Sequence, residues 1–352
     1  MKSIYKKLRN SSEVFIIAEA GSNWKCGSKK QDIAQAKKLI KTASSCGADA
    51  IKFQTYDSSV YVKNAGESNY LSKNGIKKSV NEIFDEFSMS YEMLPILEKF
   101  CKQYNIEFMS TPFSVKDVHA IDKFVNIHKL ASYEINHIPM LEALAKTKKP
   151  LILSTGASTL EEINFAIKTM KKFGNHQLCL LQCTSKYPAR IESLNLSVIS
   201  SFKNKYKFPV GLSDHSVDPF IAPITAVGLG ATIIEKHFTL DKSSKGPDHY
   251  FSLDPNELKV MISSLRKSMI SKGDSIKKIH NDETELRKFA NRSIQATKNI
   301  QIGDKLVLGS NIEILRPGKR KRGIEPRFLH KIVNKKSRKK IRSGDGISLN
   351  DV

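Results

Sequence analysis

The sequence predicts an α/β fold: a TIM (β/α)8 barrel followed by a small β-rich domain. Three observations carry that prediction. A short aliphatic run followed by a helical pattern recurs eight times before Gly273, which is the count a (β/α)8 barrel requires. The runs are apolar on both faces, as strands of a buried parallel sheet are. Nearly every run ends in Lys, Glu, His, Ser or Thr, and barrel strand ends converge on the face where active sites lie. A doubly wound open sheet is the main competitor. The count of eight and the lack of an early GxGxxG argue against it.

The elements follow in order. VFIIAEAG leads to QDIAQAKKLIKTASSCG, where Ile33, Ala36, Leu39, Ile40 and Ala43 recur at helical spacing. DAIKFQT is followed by a long polar insertion, residues 58–88, and then EMLPILEKFCKQY. IEFMSTPF precedes VKDVHAIDKF, IHKLASYE precedes MLEALAKT, and PLILSTG precedes TLEEINFAIKTMKKFG. Ser158 and Thr159 read as N-caps of that last helix. LCLLQCTS, PVGLSDHS and ATIIEKHFTL, each with a helical pattern behind it, complete the eight. Residues 1–273 are thus read as the barrel, 274–288 as a linker with some helix, and 289–352 as the small domain. Short alternating runs and Gly-Asp turns at 303–304 and 344–345 mark the last segment. So small a domain needs to dock on something.

Composition bounds the function. No run approaches the roughly 18 apolar residues of a membrane span, and MKSIYKKLRNSSE has no apolar signal core. Five scattered cysteines (Cys26, Cys46, Cys101, Cys179, Cys183) show no CxxC spacing, which fits free thiols in a reducing cytoplasm. Cys183, in an apolar run, is read as core. Lysine and arginine total 58 against 35 acids, a net charge of +23. From Arg316 to Arg342 there are 13 Lys/Arg and one acid, Glu325. A basic balance suits an anionic partner. A nucleic-acid-associated barrel is therefore the rival reading. Against it, there is no RNP motif, GXXG clamp or zinc-finger spacing, and Phe328 is the one aromatic in that segment.

The strand ends suggest the chemistry. His215 and His237 close neighbouring strands 7 and 8. Two such imidazoles can share a divalent cation, with water or substrate completing the shell; the alternative is two histidines hydrogen-bonded in a polar rim. Glu19, Glu134, Asp214, Glu235 and Asp248 offer acid–base groups or salt-bridge partners. Lys52 and Lys129, with Ser and Thr on four other rims, suit a phosphate accompanied by a carboxylate. The residues alone thus point to a barrel enzyme for a phosphorylated acid and a second substrate, with a metal. An aldolase that keeps the phosphate is a third reading.

VFIIAEAGSN, GADAIKFQTY, EFMSTPFS, KLASYE, LILSTGAS, LLQCTSKYP, VGLSDHS, IIEKHFTLD and GPDH occur in the order and spacing of the sialic acid (N-acetylneuraminate) synthase family, which the chain resembles from about residue 13 to its end. RSIQATKNIQIGDKL and NIEILRPG resemble its C-terminal antifreeze-like (SAF) domain. The resemblance implies condensation of phosphoenolpyruvate with an N-acetylated amino sugar to a nonulosonic acid. N-acetylmannosamine and 2,4-diacetamido sugars are the alternative acceptors. It implies that His215 and His237 bind Mn2+ or Mg2+, and that Lys52, Thr111, Lys129, Ser132, Ser154, Ser185 and Ser213 cradle phosphoenolpyruvate. Some members have Asn at the Ser185 position. It also implies that Gln54, Glu134, Tyr187 and Asp248 contact the sugar and that Glu19 is the strand-1 acid. Arg316 would reach the sugar's acyl group in the partner subunit's barrel, in a homodimer with swapped C-terminal domains.

Two departures bear on the sugar. AEAGSNWKCG puts Trp24 where the family has a histidine, in a loop one residue longer. The indole either faces the sugar's C–H groups or packs under the loop. The 58–88 insertion, with Asn64, Asn69 and Asn74, is expected to cover the sugar.

Overall fold

The computed structural model describes residues 4–73 and 75–352. Asn74, one of the asparagines singled out above, lies outside the described residues. The chain divides into two compact units, 1–273 and 274–352.

The first unit is the barrel. Its strands are β1 (Phe15–Gly21), β2 (Ala50–Thr55), β3 (Glu107–Pro112), β4 (His128–Leu130), β5 (Leu151–Ser154), β6 (Leu178–Cys183), β7 (Val210–Asp214) and β8 (Ile233–His237). The hydrogen-bonded order is β3-β2-β1-β8-β7-β6-β5-β4, with every pair parallel. β3 and β4 come together and close the ring. All eight expected strands are present, in order.

Alternation within each strand separates two apolar layers, because successive side chains point to opposite faces. Ile16, Ala18, Ile51, Phe108, Leu153, Leu180, Leu212 and Ile234 belong to the larger cluster, packed against the outer helices. Phe15, Ile17, Ala50, Met109, Ile127, Ile152, Cys179, Leu181 and Ile233 fill the barrel interior. Leu8 of the helix Ile4–Leu8 joins that inner cluster, and the Leu8 carbonyl accepts a hydrogen bond from Thr232 Oγ1 at 2.9 Å. One step further along the inward-facing positions, residue type changes: Glu19, Lys52, Thr111, Lys129, Ser154, Cys183 and Glu235 follow the apolar layer by two residues, and Ser213 follows Gly211. The strands only look apolar on both faces because their lower inward positions are apolar too.

The outer helices are capped by their own sequence. Thr159 caps Leu160–Lys172 in a reciprocal box with Glu162. Ser158 is not a cap; its hydroxyl donates instead to the Gly156 carbonyl at 3.2 Å. The 58–88 insertion forms a short 3-10 turn and the helices Asn69–Lys73 and Val80–Glu86. Asn81 ties the insertion together by accepting from the Ala65 amide at 3.1 Å and donating to the Val62 carbonyl at 3.1 Å.

In the second unit, β9 (Ser293–Ala296) pairs antiparallel with β10 (Ile312–Leu315). Isolated bridges such as Ile300 with Ile341 extend the pattern. Ile294, Ile300, Leu306, Ile312, Ile332, Ile341 and Ile347 make its own core. The helix Thr284–Ala290 precedes β9. Arg316 follows β10 and is exposed.

Candidate active site

A cavity of about 830 Å3 opens at the C-terminal ends of the barrel strands. Its lining includes the residues singled out above for the site except two: Asp214, whose carboxylate pairs instead with Lys236 at 2.6 Å, and Arg316, which belongs to the second unit. Glu19, Lys52, Gln54, Thr111, Lys129, Ser132, Glu134, Ser154, Ser185, Tyr187, Ser213, His215, His237 and Asp248 all face one space.

Two lysines stand at its floor. Lys52 Nζ lies 2.6 Å from Glu19 Oε2 and donates to Thr111 Oγ1 at 2.9 Å. Lys129 Nζ donates to Ser154 Oγ at 2.7 Å and lies 3.5 Å from Glu235 Oε1. Glu235 also accepts from Ser213 Oγ at 2.9 Å, so one carboxylate serves both lysines. Buried ammonium groups are retained when they are paired, and these pairs keep both cations inside a cavity that an anion can enter. In the sequence Glu235 is one strand-end acid among several; its inward register on β8 makes it the centre of the floor.

Burial pushes the Glu19 carboxyl up to about 7, with Lys52 opposing and Glu235 adding. Gln54 Nε2 donates to its other oxygen at 2.9 Å. Burial alone pushes Glu134, at the rim after β4, up to about 7. Asp248 is held against the β1 loop: its Oδ2 accepts from the Ser22 amide at 3.1 Å and the Ser22 hydroxyl at 2.8 Å. Gly21, at φ +48°, leaves room for that carboxylate, since a Cβ there would stand 2.5 Å from Asp248 Oδ2. Gly156 leaves room in the same way: a Cβ would stand 2.2 Å from Ser185 Oγ and 3.0 Å from Ser132 Oγ.

The two histidines meet. Their ring centroids are 5.6 Å apart, with the Tyr187 ring 4.1 Å from His215 and tilted by 31° to it. His215 Nδ1 contacts the Thr184 carbonyl at 2.8 Å. A carbonyl can only accept, so that bond places a proton on Nδ1. Burial, then His215 and Lys52, hold His237 well below the ordinary imidazole range, so it is neutral. His237 Nδ1 is buried with no hydrogen-bond partner among the described residues. No group of three or more His, Cys, Asp or Glu arranged for a metal occurs among the described residues. The buried, unpartnered His237 Nδ1 beside the His215 ring is a two-imidazole donor set of a kind that suits a divalent cation only if water or substrate oxygens fill the other positions.

Cys183 is buried, as expected, but it lines this cavity instead of an apolar core, 3.9 Å from His215 Nδ1. Burial opposes charge on both, yet each draws the other toward its charged form. The inward register at the end of β6 explains the placement. Trp24 packs under its loop, 2% exposed, within the barrel's outer core.

Residues 39–277 match the NeuB family, and residues 291–352 match the SAF domain. The chain belongs to the NeuB family. This NeuB-family chain is 39% identical over 344 residues to a pseudaminic acid synthase of Campylobacter jejuni subsp. jejuni, covering 96% of each protein. It is 36% identical over 345 residues to N,N'-diacetyllegionaminic acid synthase of Legionella pneumophila subsp. pneumophila, covering 95% of this chain and 93% of that one. Among solved structures, N-acetylneuraminic acid (sialic acid) synthetase from Leptospira borgpetersenii serovar Hardjo-bovis, in complex with citrate, superposes with a TM-score of 0.69 at 34% identity. That match covers 80% of this chain and 92% of the other. The nucleic-acid reading finds no support in these relatives.

Proposed function

We propose that this chain condenses phosphoenolpyruvate with an N-acetylated amino sugar to form a nonulosonic acid and phosphate. The observation that carries the reading is the floor of the cavity. Lys52 and Lys129 are buried there beside Thr111, Ser154 and Ser213, on the barrel face where the histidine pair also stands. The relatives named as synthases of pseudaminic, legionaminic and sialic acids point the same way.

Lys52 and Lys129 hold the phosphate and carboxylate, assisted by Thr111, Ser132, Ser154, Ser185 and Ser213. Preorganised charge of this kind stabilises developing charge without reorganisation. When bound between His215 and His237, Mn2+ or Mg2+ supplies a Lewis acid for the aldehyde oxygen of the open-chain sugar. Gln54, Glu134, Tyr187 and Asp248 orient the sugar so that its C1 meets C3 of phosphoenolpyruvate; a C–C bond forms as the C2–C3 double bond and the aldehyde C=O π bond open, the aldehyde oxygen takes a proton from solvent to become a hydroxyl, and C2 is left electron-deficient. Water adds at C2, and Glu19, adjacent to Lys52, takes its proton. The C2 hydroxyl then gives up its remaining proton to become the ketone as the bond from C2 to the bridging oxygen breaks, and phosphate leaves with that oxygen and that proton. Arg316 meets the acyl group from the partner subunit, in a homodimer that exchanges C-terminal domains. The setting is the cytoplasm. All five cysteines are free, and no helix among the described residues is long and apolar enough to cross a membrane.

The test is a panel of acetamido sugars incubated with phosphoenolpyruvate and Mn2+, read by phosphate release and product mass. We expect sugar-dependent release of one phosphate per product. Product that retains phosphate would indicate the aldolase reading instead. His215→Ala is expected to abolish turnover while the circular dichroism spectrum is unchanged.

A further inference from the structure

One acid of the cavity is held at both of its ends by consecutive residues of the β1 loop. Asp248 lies in the long connection between β8 and the helix Pro255–Lys272. Residues 241–247, which lead into it, are exposed or half-buried. Ser22 binds the Asp248 carboxylate through its amide and its hydroxyl. The next residue, Asn23, reaches the Asp248 backbone through one intermediary. Asn23 Nδ2 donates to Ser252 Oγ at 3.2 Å, and Ser252 Oγ donates in turn to the Asp248 carbonyl. The other proton of that amide goes to the Phe238 carbonyl at 3.0 Å, just past β8. Asn23 and Ser252 are completely buried, and neither lines the cavity.

The β1 loop can anchor Asp248 because the loop is itself fixed. Trp24 packs into the outer core. Buried Asp32 accepts from the Cys26 amide at 2.8 Å, the Gly27 amide at 2.9 Å and the Lys25 ammonium at 2.7 Å. Around Asp248 the chain is also tied back to β8. His249 Nδ1 lies 2.7 Å from Thr239 Oγ1, and the Leu253 amide donates to the His237 carbonyl at 2.9 Å. The place of Asn23 calls for a carboxamide. Two oxygens face it, and one amide nitrogen carries two protons, where a hydroxyl carries one and a carboxylate none.

We infer that Asn23 and Ser252 are positioning residues for the reaction: they set where the Asp248 carboxylate stands in the cavity without meeting a substrate themselves. This rests on the synthase reading above, in which Asp248 contacts the sugar. Ser22 fixes the carboxylate, the Asn23–Ser252 pair fixes the backbone, and the short side chain between them keeps one direction. Misplacing a group of this kind by about 1 Å can cost about a hundredfold.

Ser252→Ala removes one hydroxyl and little volume. With the acetamido sugar that supports phosphate release, it is expected to lower kcat/KM for the sugar by about tenfold or more, mainly through KM for the sugar, and to leave KM for phosphoenolpyruvate unchanged. In an Asp248→Ala background the same substitution is expected to change almost nothing, since the group it acts through is gone. Asn23→Ala is expected to reproduce the loss and to add little to Ser252→Ala. A crystal structure of Ser252→Ala is expected to show Asp248 Oδ2 drawn away from Ser22, and it decides alone where Asp248→Ala leaves no measurable turnover. Equal losses in both backgrounds, an equal rise in KM for phosphoenolpyruvate, a carboxylate unmoved in the crystal, or an Asp248→Ala variant as active as wild type would each overturn the inference and leave the synthase reading intact. If no acetamido sugar releases phosphate, the synthase reading fails and this inference with it.

Discussion

Glu134 shows how one side chain's surroundings set its chemistry. It stands at the cavity rim, and burial alone lifts its carboxyl from about 4.5 to about 7. Between those values the native state holds a proton that the unfolded chain has released. Stability therefore falls as pH rises through this window and is fully present below it. Glu134→Gln removes the ionisation. The variant is expected to gain about 1–3 kcal/mol at pH 8, a rise in Tm of a few degrees, and nothing at pH 4. Thermal unfolding at the two pH values checks this. Near neutrality the same carboxyl can either donate or accept a hydrogen bond in the cavity, a balance that a carboxyl near its ordinary value would lack.

At the scale of elements, the barrel site depends on how β7 and β8 are joined. Lys236 on β8 is 2% exposed and faces away from the cavity. Its ammonium meets Asp214 Oδ2 at 2.6 Å, the Asp218 carbonyl at 3.1 Å, and both the carbonyl and hydroxyl of Ser216. Those residues bracket His215, and Lys236 itself precedes His237. The clamp fixes the two histidine-bearing strand ends to each other. Lys236→Met would strand the Asp214 carboxylate in the interior, at a cost of about 3–5 kcal/mol. Urea unfolding is expected to show that loss. Mn2+ affinity measured by electron paramagnetic resonance on the folded fraction is expected to fall as well. Strand identity and order were legible in the sequence, because eight aliphatic runs with helical patterns between them leave little other choice. The clamp was not legible. A lysine next to a histidine at a strand end reads like any rim residue until the pleat assigns it to the outer face.

At the scale of the whole molecule, charge is concentrated in the second unit. Most of the 13 basic residues from Arg316 to Arg342 are exposed, and their few ion pairs, such as Arg327–Glu325 at 2.8 Å and Lys339–Asp351 at 3.5 Å, leave most of that charge uncompensated. The full-length protein is expected to bind heparin or duplex DNA at about 50 mM salt and to release it by about 200 mM, without sequence preference. Retention that survives higher salt, or depends on DNA sequence, would contradict the purely electrostatic account.

The barrel, the second domain and the charged residues of the cavity floor could be read from the chain alone, whereas Ser22, Ser68, Tyr133, Cys183 and Lys186 join the lining without any such signal. Strand periodicity and strand-end chemistry are local properties, and in a (β/α)8 barrel the topology sends all strand ends to one face. Only the tertiary structure decided matters of direction. The pleat turned Cys183 and Glu235 inward and Lys236 outward. Packing put Trp24 beneath its loop, and apolar side chains of the insertion, not Asn64 or Asn69, against the cavity. Such choices depend on what stands opposite each side chain across the fold, which spacing along the chain does not encode.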